Sequence, residues 1–468
     1  MDPKIFKAYD IRGIYPTQIN EQVMERIIRG LYTFLVRSGH KKDLKIVCSR
    51  DMRLSSPALQ AVAKETLKNC GAQVLDIGLN STPSAYMATL ILNADAGIQI
   101  TASHNPKEYA GLKIVARNED KIIKIGQNTG INEIKNFAMT NDFLPLTNDG
   151  SVIPTKPTLE KEIEIMADLV KLNDILPFKI VADAGNSMGA VYLDAIAKKY
   201  PINLIRLYFT LDGSFPNHEP NPSIPENVNS LKQKVKEEKA DLGIITDGDG
   251  DRIMFVDEKG EQIEPTLITS LILNESANLY PDEKKYIVDI RYIRNVQAAA
   301  QQAGKTLLIS RVGHAFITEQ LNKEKAFFAG ESSGHYFFQR TGGAEATIAI
   351  ILFILKILSR ERKPISQIVA RFRKVIESGE INFTLNPGLN ANDLLVLIQD
   401  KYSDGVINRL DGVAVDYPNW RFGVRTSNTE PLVRLNIEGE SKELVAKKIK
   451  ELSDLIISFG AKLKTASH

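Results

Sequence analysis

Cysteine is scarce in this sequence, with only Cys48 and Cys70 among 468 residues. Two thiols cannot build the dense disulfide framework of small secreted domains. Cys48 lies in an apolar run typical of a strand and Cys70 ends a helical pattern, which favours two buried free thiols. We therefore predict a cytoplasmic protein.

Long apolar runs are also lacking. Residues 1–10 contain no apolar core like that of a signal peptide. The longest apolar stretch, residues 348–358, is interrupted by Lys356 and is too short to span a bilayer. We expect it to form a buried helix, and we expect no membrane partner.

An excess of either charge is absent as well. The chain has 59 basic and 57 acidic residues, which gives a formal net charge of +2. This balance gives no reason to expect a nucleic-acid partner, and a small anionic substrate would be bound by a few placed Lys and Arg side chains. No Walker loop, dinucleotide-binding glycine pattern or zinc-ligand spacing occurs, so a nucleotide need not be a substrate.

The chain is long enough for several domains. Domains usually span about 100–150 residues, so 468 residues predict three or four. Strand and helix patterns alternate at first and restart twice, which predicts α/β units, whereas the C-terminal pattern predicts a smaller α+β domain. The predicted domains are residues 1–150, 151–257, 258–368 and 369–468.

Three polar loops each follow a strand-like run. Residues 94–101 resemble residues 240–246, and each run leads into a polar loop. The three loops are residues 102–106, 247–252 and 330–335. Because ligand loops in open α/β sheets follow the carboxyl ends of strands, we expect one site where three domains meet.

The loop at 247–252 places Asp247, Asp249 and Asp251 at alternate positions. The two intervening glycines allow the backbone to curl so that the carboxylates converge, which predicts a site for a hard cation, Mg²⁺ or Ca²⁺. A solvated acidic turn is disfavoured because apolar strands flank the loop. A calcium-binding helix–loop–helix is disfavoured because Arg252 occupies the position that needs glycine.

Ser103 lies in the first of these polar loops, within Thr-Ala-Ser-His-Asn-Pro at 101–106. A free serine is a weak nucleophile and needs a base or a metal beside it. The ordinary interpretation of such a loop is a turn or a helix cap. Residues 240–246, which resemble the strand-like run before Ser103, lead into the acidic loop, and this pairing favours a nucleophile instead.

Residues 330–334 match the nucleophile-elbow pattern of serine hydrolases. That elbow requires a helix after the serine, but residues 335–338 have the pattern of a strand, so a hydrolase is the weaker alternative. Glu331 and Ser333 are better suited to hydrogen-bond sugar hydroxyls.

Residues 425–429, Arg-Thr-Ser-Asn-Thr, combine a guanidinium with hydroxyl and amide groups. This composition predicts a phosphate-binding loop, with a polar hairpin turn as the alternative. Arg12 is an isolated basic residue, and His314 is either a neighbour of a helix cap or an acid–base group.

These loops, in this order, resemble those of the α-D-phosphohexomutase superfamily, in particular its phosphomannomutase/phosphoglucomutase branch. The match extends from Tyr9-Asp-Ile-Arg-Gly13 to the loop at 425–429, and the Ser103 and Asp247 loops are its most specific parts. The resemblance implies three related α/β domains with mixed sheets and a smaller C-terminal α+β domain, arranged around a central cleft.

The resemblance also implies a role for each matching residue. Ser103 would be a phosphoserine whose phosphoryl oxygen joins Asp247, Asp249 and Asp251 around Mg²⁺. The transferring group would be surrounded by Arg12, His104, Lys113 and Arg252. The substrate would be bound by Glu331 and Ser333 through its hydroxyls, by Arg425, Ser427, Asn428 and Thr429 through its distant phosphate, and by Tyr9, Arg291, His314 and His335 in the cleft.

The implied activity is the interconversion of hexose 1-phosphate and hexose 6-phosphate, of mannose or glucose, through a hexose 1,6-bisphosphate. Ser332 and Arg291 depart from the residues usual in this branch, so phosphoglucosamine mutase remains an alternative, as does a sugar-phosphate phosphatase. A non-catalytic sugar-phosphate sensor should have lost the nucleophile or a metal ligand, and neither is lost. We expect a monomer or a homodimer. The proton relay is expected from Lys113 or His314.

Overall fold

The structure, a computed structural model, describes residues 1–39, 43–426 and 432–464. Within these ranges the chain forms four β-sheets, each accompanied by helices. The first sheet is built by β1 (Ile11–Ile14), β2 (Lys45–Arg50), β3 (Gln73–Leu79), β4 (Ala96–Ile100), β5 (Tyr109–Asn118), β6 (Lys121–Lys124) and β7 (Ser151–Pro154). Its helices are α1 (Glu21–Arg37), α2 (Ser56–Asn69), α3 (Thr82–Ile91) and α4 (Ile131–Thr140).

The first sheet is mixed, in the order β1-β5-β4-β2-β3-β7 with β6 on β5. Strands β2, β3, β4 and β7 pair in parallel, whereas β5 runs antiparallel to β4 and β1. Helix α1 begins because the Asn20 side chain accepts a hydrogen bond from the amide of Val23, and it ends before Gly39 at φ +98°. Its apolar stripe is buried against the sheet.

The second and third domains repeat this α/β pattern with fewer strands. The second contains β8 (Phe178–Asp183), β9 (Ile202–Leu207), β10 (Leu242–Thr246), β11 (Ile253–Val256) and β12 (Gln262–Ile263), with α5 (Leu159–Val170), α6 (Gly189–Lys199) and α7 (Asn229–Glu238). The third contains β13 (Lys285–Asp289), β14 (Thr306–Ser310), β15 (Phe328–Gly330) and β16 (Tyr336–Phe338), with α8 (Pro265–Leu279), α9 (Arg294–Gln302), α10 (His314–Glu324), α11 (Thr347–Glu361) and α12 (Ile365–Ala370).

These two domains share one hydrophobic core. Helix α5 packs along α11, and the same buried cluster contains Met166 and Ile180 from one domain and Val288 and Phe353 from the other. Helix α11 is the buried helix that the apolar run at 348–358 predicts. The two sheets are therefore fixed against each other by apolar burial.

The fourth domain is an antiparallel sheet with a separate core. Its elements are β17 (Ile376–Glu377), β18 (Ile381–Leu385), α13 (Ala391–Lys401), β19 (Val406–Asn408), β20 (Val413–Asp416), β21 (Trp420–Thr426), β22 (Leu432–Gly439), α14 (Lys442–Ser458) and β23 (Ala461–Leu463). Phe383, Phe422 and Leu452 are fully buried in that core.

The predicted fold class is confirmed, but two predicted domain limits fall short of the sheets. Strand β7 pairs with β3, so the first sheet continues past residue 150, and β12 pairs with β11, so the second continues past residue 257. Both are short edge strands of four and two residues, too short for a readable apolar pattern. Cys48 and Cys70 are buried free thiols, and no helix in the described parts of the chain could cross a membrane.

Candidate active site

Three loops meet where the first three domains join. The Ser103 loop follows β4, the acidic loop follows β10, and residues 331–335 connect β15 to β16. Ser103 Oγ donates a hydrogen bond to Asp247 Oδ2 at 3.0 Å, and His335 Nε2 lies 3.2 Å from Asp251 Oδ1. Loops at the ends of strands from three sheets thereby form one cluster.

The backbone of Ser103 has an unusual conformation. Its φ is +51°, in the left-handed region that favours glycine, and its amide donates to Thr101 Oγ1 at 2.9 Å. A non-glycine residue in this region carries strain of about 1–3 kcal/mol, which the surrounding structure must offset. The conformation directs the Ser103 hydroxyl, which is almost fully buried, at the acidic loop.

Asp247, Asp249 and Asp251 are fully buried, and a ligand oxygen from each lies within 4.8 Å of the others. Gly250, with φ +74°, makes the curl that brings them together. Burial and the two neighbouring carboxylates raise the pKa of Asp247 well above its ordinary value. Asp249 Oδ1 has no hydrogen-bond partner, so the donor set fits a hard divalent cation.

Lys113 lies beside this cluster. Its Nζ donates to Asp249 Oδ2 at 2.6 Å and to Asp251 Oδ2 at 2.5 Å. Burial alone would lower the pKa of Lys113, but Asp249 and Asp251 together raise it well above the ordinary value. Lys113 is therefore a buried cation that offsets part of the negative charge.

The other basic groups that the resemblance implies are close to Ser103. The Arg12 guanidinium donates to Asp10 and Asn105, and His104 Nδ1 lies 3.4 Å from Ser103 Oγ. Arg252 Nε lies 3.9 Å from Asp247 Oδ2. Burial, followed by the charges of Arg252 and Arg12, lowers the pKa of His104 well below its ordinary value, so its imidazole is neutral.

In the third domain, Glu331 and Ser333 both contact His335. Glu331 Oε2 lies 2.8 Å from His335 Nδ1, and Ser333 Oγ lies 3.0 Å from the same nitrogen. Burial opposes protonation of His335, but Asp251 and Glu331 outweigh it and raise its pKa to about 9. Arg291 Nε donates to Asp289 Oδ1 at 2.9 Å and its Nη2 donates to Glu331 Oε1 at 3.2 Å.

His314 is the first residue of α10 and contacts the first domain. Its Nδ1 lies 3.1 Å from Lys124 Nζ, which also donates to Glu345. The Tyr9 ring centroid is 5.4 Å from the His314 ring, and the Tyr9 hydroxyl donates to the carbonyl of Val312 at 3.0 Å. Burial and then Lys124 lower the pKa of His314 well below its ordinary value.

Arg425 lies on β21 of the fourth domain. Its Nη2 donates to Glu380 Oε2 at 2.9 Å. Glu380 also accepts from Arg434 at 3.0 Å and lies 3.9 Å from Arg291. This carboxylate connects the fourth domain to the third. The predicted residues Ser427, Asn428 and Thr429 lie outside the described residues, so the structure does not bear on them.

Several charged residues of the site are missing from the prediction. Lys124 and Glu345 meet through packing between the first and third domains, Glu380 meets Arg425 within the fourth and Arg291 across to the third, and their sequence neighbourhoods carry no loop motif. Asp289, which binds Arg291, could have been found, because it is a carboxylate at the carboxyl end of strand β13.

The fold and the site define a class: four-domain α/β proteins in which a buried hydroxyl of one domain faces a carboxylate cluster of the next. The chain matches the phosphoglucomutase/phosphomannomutase alpha/beta/alpha domains I, II and III at residues 3–143, 161–260 and 263–375, and the C-terminal domain of that family at residues 380–455. The chain belongs to the phosphoglucomutase/phosphomannomutase family, which confirms the resemblance seen in its loops.

The matches to relatives cover almost the whole chain. A phosphomannomutase of Salmonella typhimurium is 34% identical over 442 residues, 92% of this chain and 94% of that protein. A phosphomannomutase/phosphoglucomutase of Pseudomonas aeruginosa is 32% identical over 441 residues, 94% of this chain and 92% of that protein. A solved phosphoglucomutase/phosphomannomutase family protein from Burkholderia thailandensis superposes with a TM-score of 0.88 at 28% identity, covering 99% of this chain and 100% of that one.

Proposed function

We propose that the chain is a phosphohexose mutase that interconverts hexose 1-phosphate and hexose 6-phosphate, with mannose, glucose or both as the sugar. The observation that carries this proposal is the 3.0 Å contact between Ser103 Oγ and Asp247 Oδ2 inside a buried carboxylate cluster. A nucleophilic hydroxyl beside a hard-cation site suits phosphoryl transfer. The names of the full-length relatives support the same reaction.

Asp247, Asp249 and Asp251 would hold Mg²⁺, since all three supply oxygen ligands and one oxygen has no other partner. Phosphorylated Ser103 would add a phosphoryl oxygen to this set. When bound, Mg²⁺ would neutralise charge on the phosphoryl oxygens. Lys113, Arg12 and Arg252 supply further positive charge on the protein side of the site.

The reaction would consist of two in-line phosphoryl transfers. In the first, the bond between phosphorus and Ser103 Oγ breaks, and phosphorus bonds to the free hydroxyl oxygen of the hexose phosphate. The hydroxyl proton must go to a base with a free lone pair. Of the two groups expected to relay it, Lys113 is engaged as a cation by two carboxylates, whereas the imidazole of His314 is neutral, so His314 is our candidate. The bisphosphate would then turn over and return its other phosphate to Ser103.

The substrate would be oriented by groups on the third and fourth domains. Glu331 and Ser333 would hydrogen-bond sugar hydroxyls, and their contacts with Arg291 and His335 support this role. Arg425 would bind the phosphate that does not react, as a guanidinium binds a dianion with paired hydrogen bonds. We keep Ser427, Asn428 and Thr429 as predicted members of that phosphate site, and a cytoplasmic location as a prediction.

A coupled assay on glucose-, mannose- and glucosamine-1-phosphate with Mg²⁺ tests the proposal. We expect turnover of glucose-1-phosphate, mannose-1-phosphate or both, and formation of hexose 1,6-bisphosphate. Turnover of the amino sugar alone would reassign the enzyme to phosphoglucosamine. Release of inorganic phosphate without bisphosphate would make it a phosphatase.

A further inference from the structure

We propose that Arg53 is a positioning residue for phosphoryl transfer: it holds the backbone of the Ser103 loop in the arrangement that faces the acidic loop. The proposal rests on the proposed function of Ser103. Arg53 itself contacts no reacting atom. It acts through the carbonyl groups of the loop that carries the nucleophile.

The Arg53 guanidinium donates to four backbone carbonyls, three in the loop that carries Ser103 and one on the first residue of β5. The acceptors are the carbonyls of Ser103 at 2.7 Å, Asn105 at 2.6 Å, Pro106 at 2.8 Å and Tyr109 at 3.1 Å. A guanidinium has five N–H donors in a rigid plane, whereas a lysine ammonium has three donors at one point. Only arginine can satisfy this set of acceptors together, so the side chain fixes the shape of the loop.

The charge of Arg53 is buried and paired. Arg53 is 1% exposed and Asp51 is 0% exposed, and Arg53 Nε lies 3.3 Å from Asp51 Oδ2. Asp51 is oriented in turn by Ser56, whose hydroxyl donates to it at 2.6 Å. Burying an ion pair costs free energy unless its hydrogen bonds are satisfied, and here most of those bonds go to the serine loop.

The strained conformation of Ser103 explains why the loop needs such a support. At φ +51° a serine would relax toward a common backbone region if nothing fixed its neighbours. Arg53 contacts the carbonyl of Ser103 from one side. Gly248 of the acidic loop packs on that same carbonyl, since a Cβ at this glycine would lie 2.3 Å from the oxygen.

The second domain also covers Arg53 directly. The Phe215 ring centroid is 5.2 Å from the guanidinium carbon, and a Cβ at Gly213 would lie 2.6 Å from Arg53 Cα. Arg53 therefore contacts both halves of the junction that brings Ser103 to Asp247. Its loss should displace the nucleophile relative to the carboxylates while leaving the sugar and phosphate contacts of the other domains in place.

The experiment compares Arg53→Met and Arg53→Lys with the matched control Arg50→Met. Arg50 is the last residue of β2, three residues before Arg53, and its side chain donates to the carbonyl of Asp51 at 3.0 Å, not to a carbonyl of residues 103–109. Two quantities are measured for each variant: kcat and KM with hexose phosphate and Mg²⁺, and backbone hydrogen exchange over residues 101–109 without substrate.

We expect Arg53→Met to lower kcat by about 100-fold, because a displacement of about 1 Å at a reacting group has that effect, with KM within about threefold of wild type. Exchange over residues 101–109 should accelerate while the rest of the first domain stays protected. Arg53→Lys, which keeps the charge beside Asp51, should lose about tenfold in kcat, and Arg50→Met should match wild type.

Wild-type kcat in a folded Arg53→Met or Arg53→Lys enzyme would overturn the proposal, and so would unchanged exchange in the loop. If Arg53→Met does not fold, Arg53→Lys decides, by the same two measurements. An inactive wild-type protein would refute the proposed function alone, because the exchange measurement requires no turnover.

Discussion

The contacts that fix Ser103 at the junction of the first two domains differ in kind from those that Arg425 makes on the fourth domain. At the junction, Ser103 is fixed through its backbone, by Arg53 on one side and Gly248 on the other, with almost no exposure to solvent. At the fourth domain, Glu380 connects Arg425 to Arg291 through side-chain ion pairs. An incoming phosphate can replace a carboxylate at an arginine, but it cannot replace a buried backbone contact.

The hydrophobic cores also set the fourth domain apart from the others. The second and third domains share one hydrophobic cluster, whereas the fourth encloses its own. The fourth domain also contacts the third through the Glu438 carboxylate, which accepts from the amides of Ile293 and Arg294 at 3.0 and 2.9 Å. We infer that the molecule combines a fixed region for phosphoryl transfer with a replaceable polar contact for binding substrate.

The largest expected effect is at the fixed region. Ser103→Ala removes the nucleophile, so we expect kcat to fall by more than about 1,000-fold, with an unchanged unfolding temperature. An assay of hexose phosphate turnover measures the fall in kcat, and thermal unfolding measures the unfolding temperature. Ser458→Ala, which removes an exposed hydroxyl from α14, is the control. Full activity in Ser103→Ala would remove this serine from the mechanism.

Asp249→Asn should have the next largest effect. It replaces a ligand of the cation site and breaks the contact with Lys113, so we expect kcat to fall about 100-fold and the Mg²⁺ concentration for half-maximal activity to rise. A titration of activity with Mg²⁺ after chelation of wild type and variant measures both. Identical Mg²⁺ curves for the two enzymes would contradict the assignment of Asp249 as a ligand.

At the fourth domain, Arg425→Met should weaken the binding of hexose phosphate. We expect KM for hexose phosphate to rise about 10- to 100-fold while kcat changes much less, because the side chain contacts Glu380 and not the serine loop. Steady-state kinetics give both constants. A fall in kcat with an unchanged KM would erase the contrast between the two regions.

The last expected effect concerns the stability of the second domain and not catalysis. Glu162 on α5 is fully buried, and burial raises its pKa from 4.5 to about 7. Its contribution to stability is therefore present below pH 4.5 and is lost as pH rises through about 7, by an amount of order 3 kcal/mol at alkaline pH. In Glu162→Gln this loss should disappear.

Urea unfolding at pH 5 and pH 8.5 measures the difference between wild type and Glu162→Gln. Glu164→Gln, an exposed position on the same helix, should keep the pH dependence of wild type. Parallel pH dependence in wild type and Glu162→Gln would show that Glu162 is not titrating in this range.

The sequence predicts the reacting groups better than the contacts that hold them in place. Ser103 and Asp247 were found because each follows a buried strand, and strand ends converge by topology. Arg53 and Lys124 were not found, because their partners are distant backbone carbonyls or residues of another domain. The edge strands β7 and β12 were missed since strands of four and two residues show no periodicity.

The central claim is that Ser103 carries the phosphoryl group, and intact-protein and peptide mass spectrometry test it most directly. The protein is incubated with glucose 1,6-bisphosphate and Mg²⁺, then digested. The account predicts one phosphate on the peptide containing Ser103, which is lost when excess hexose monophosphate is added and is absent in Ser103→Ala. A fully active enzyme whose Ser103 peptide never carries phosphate would contradict it.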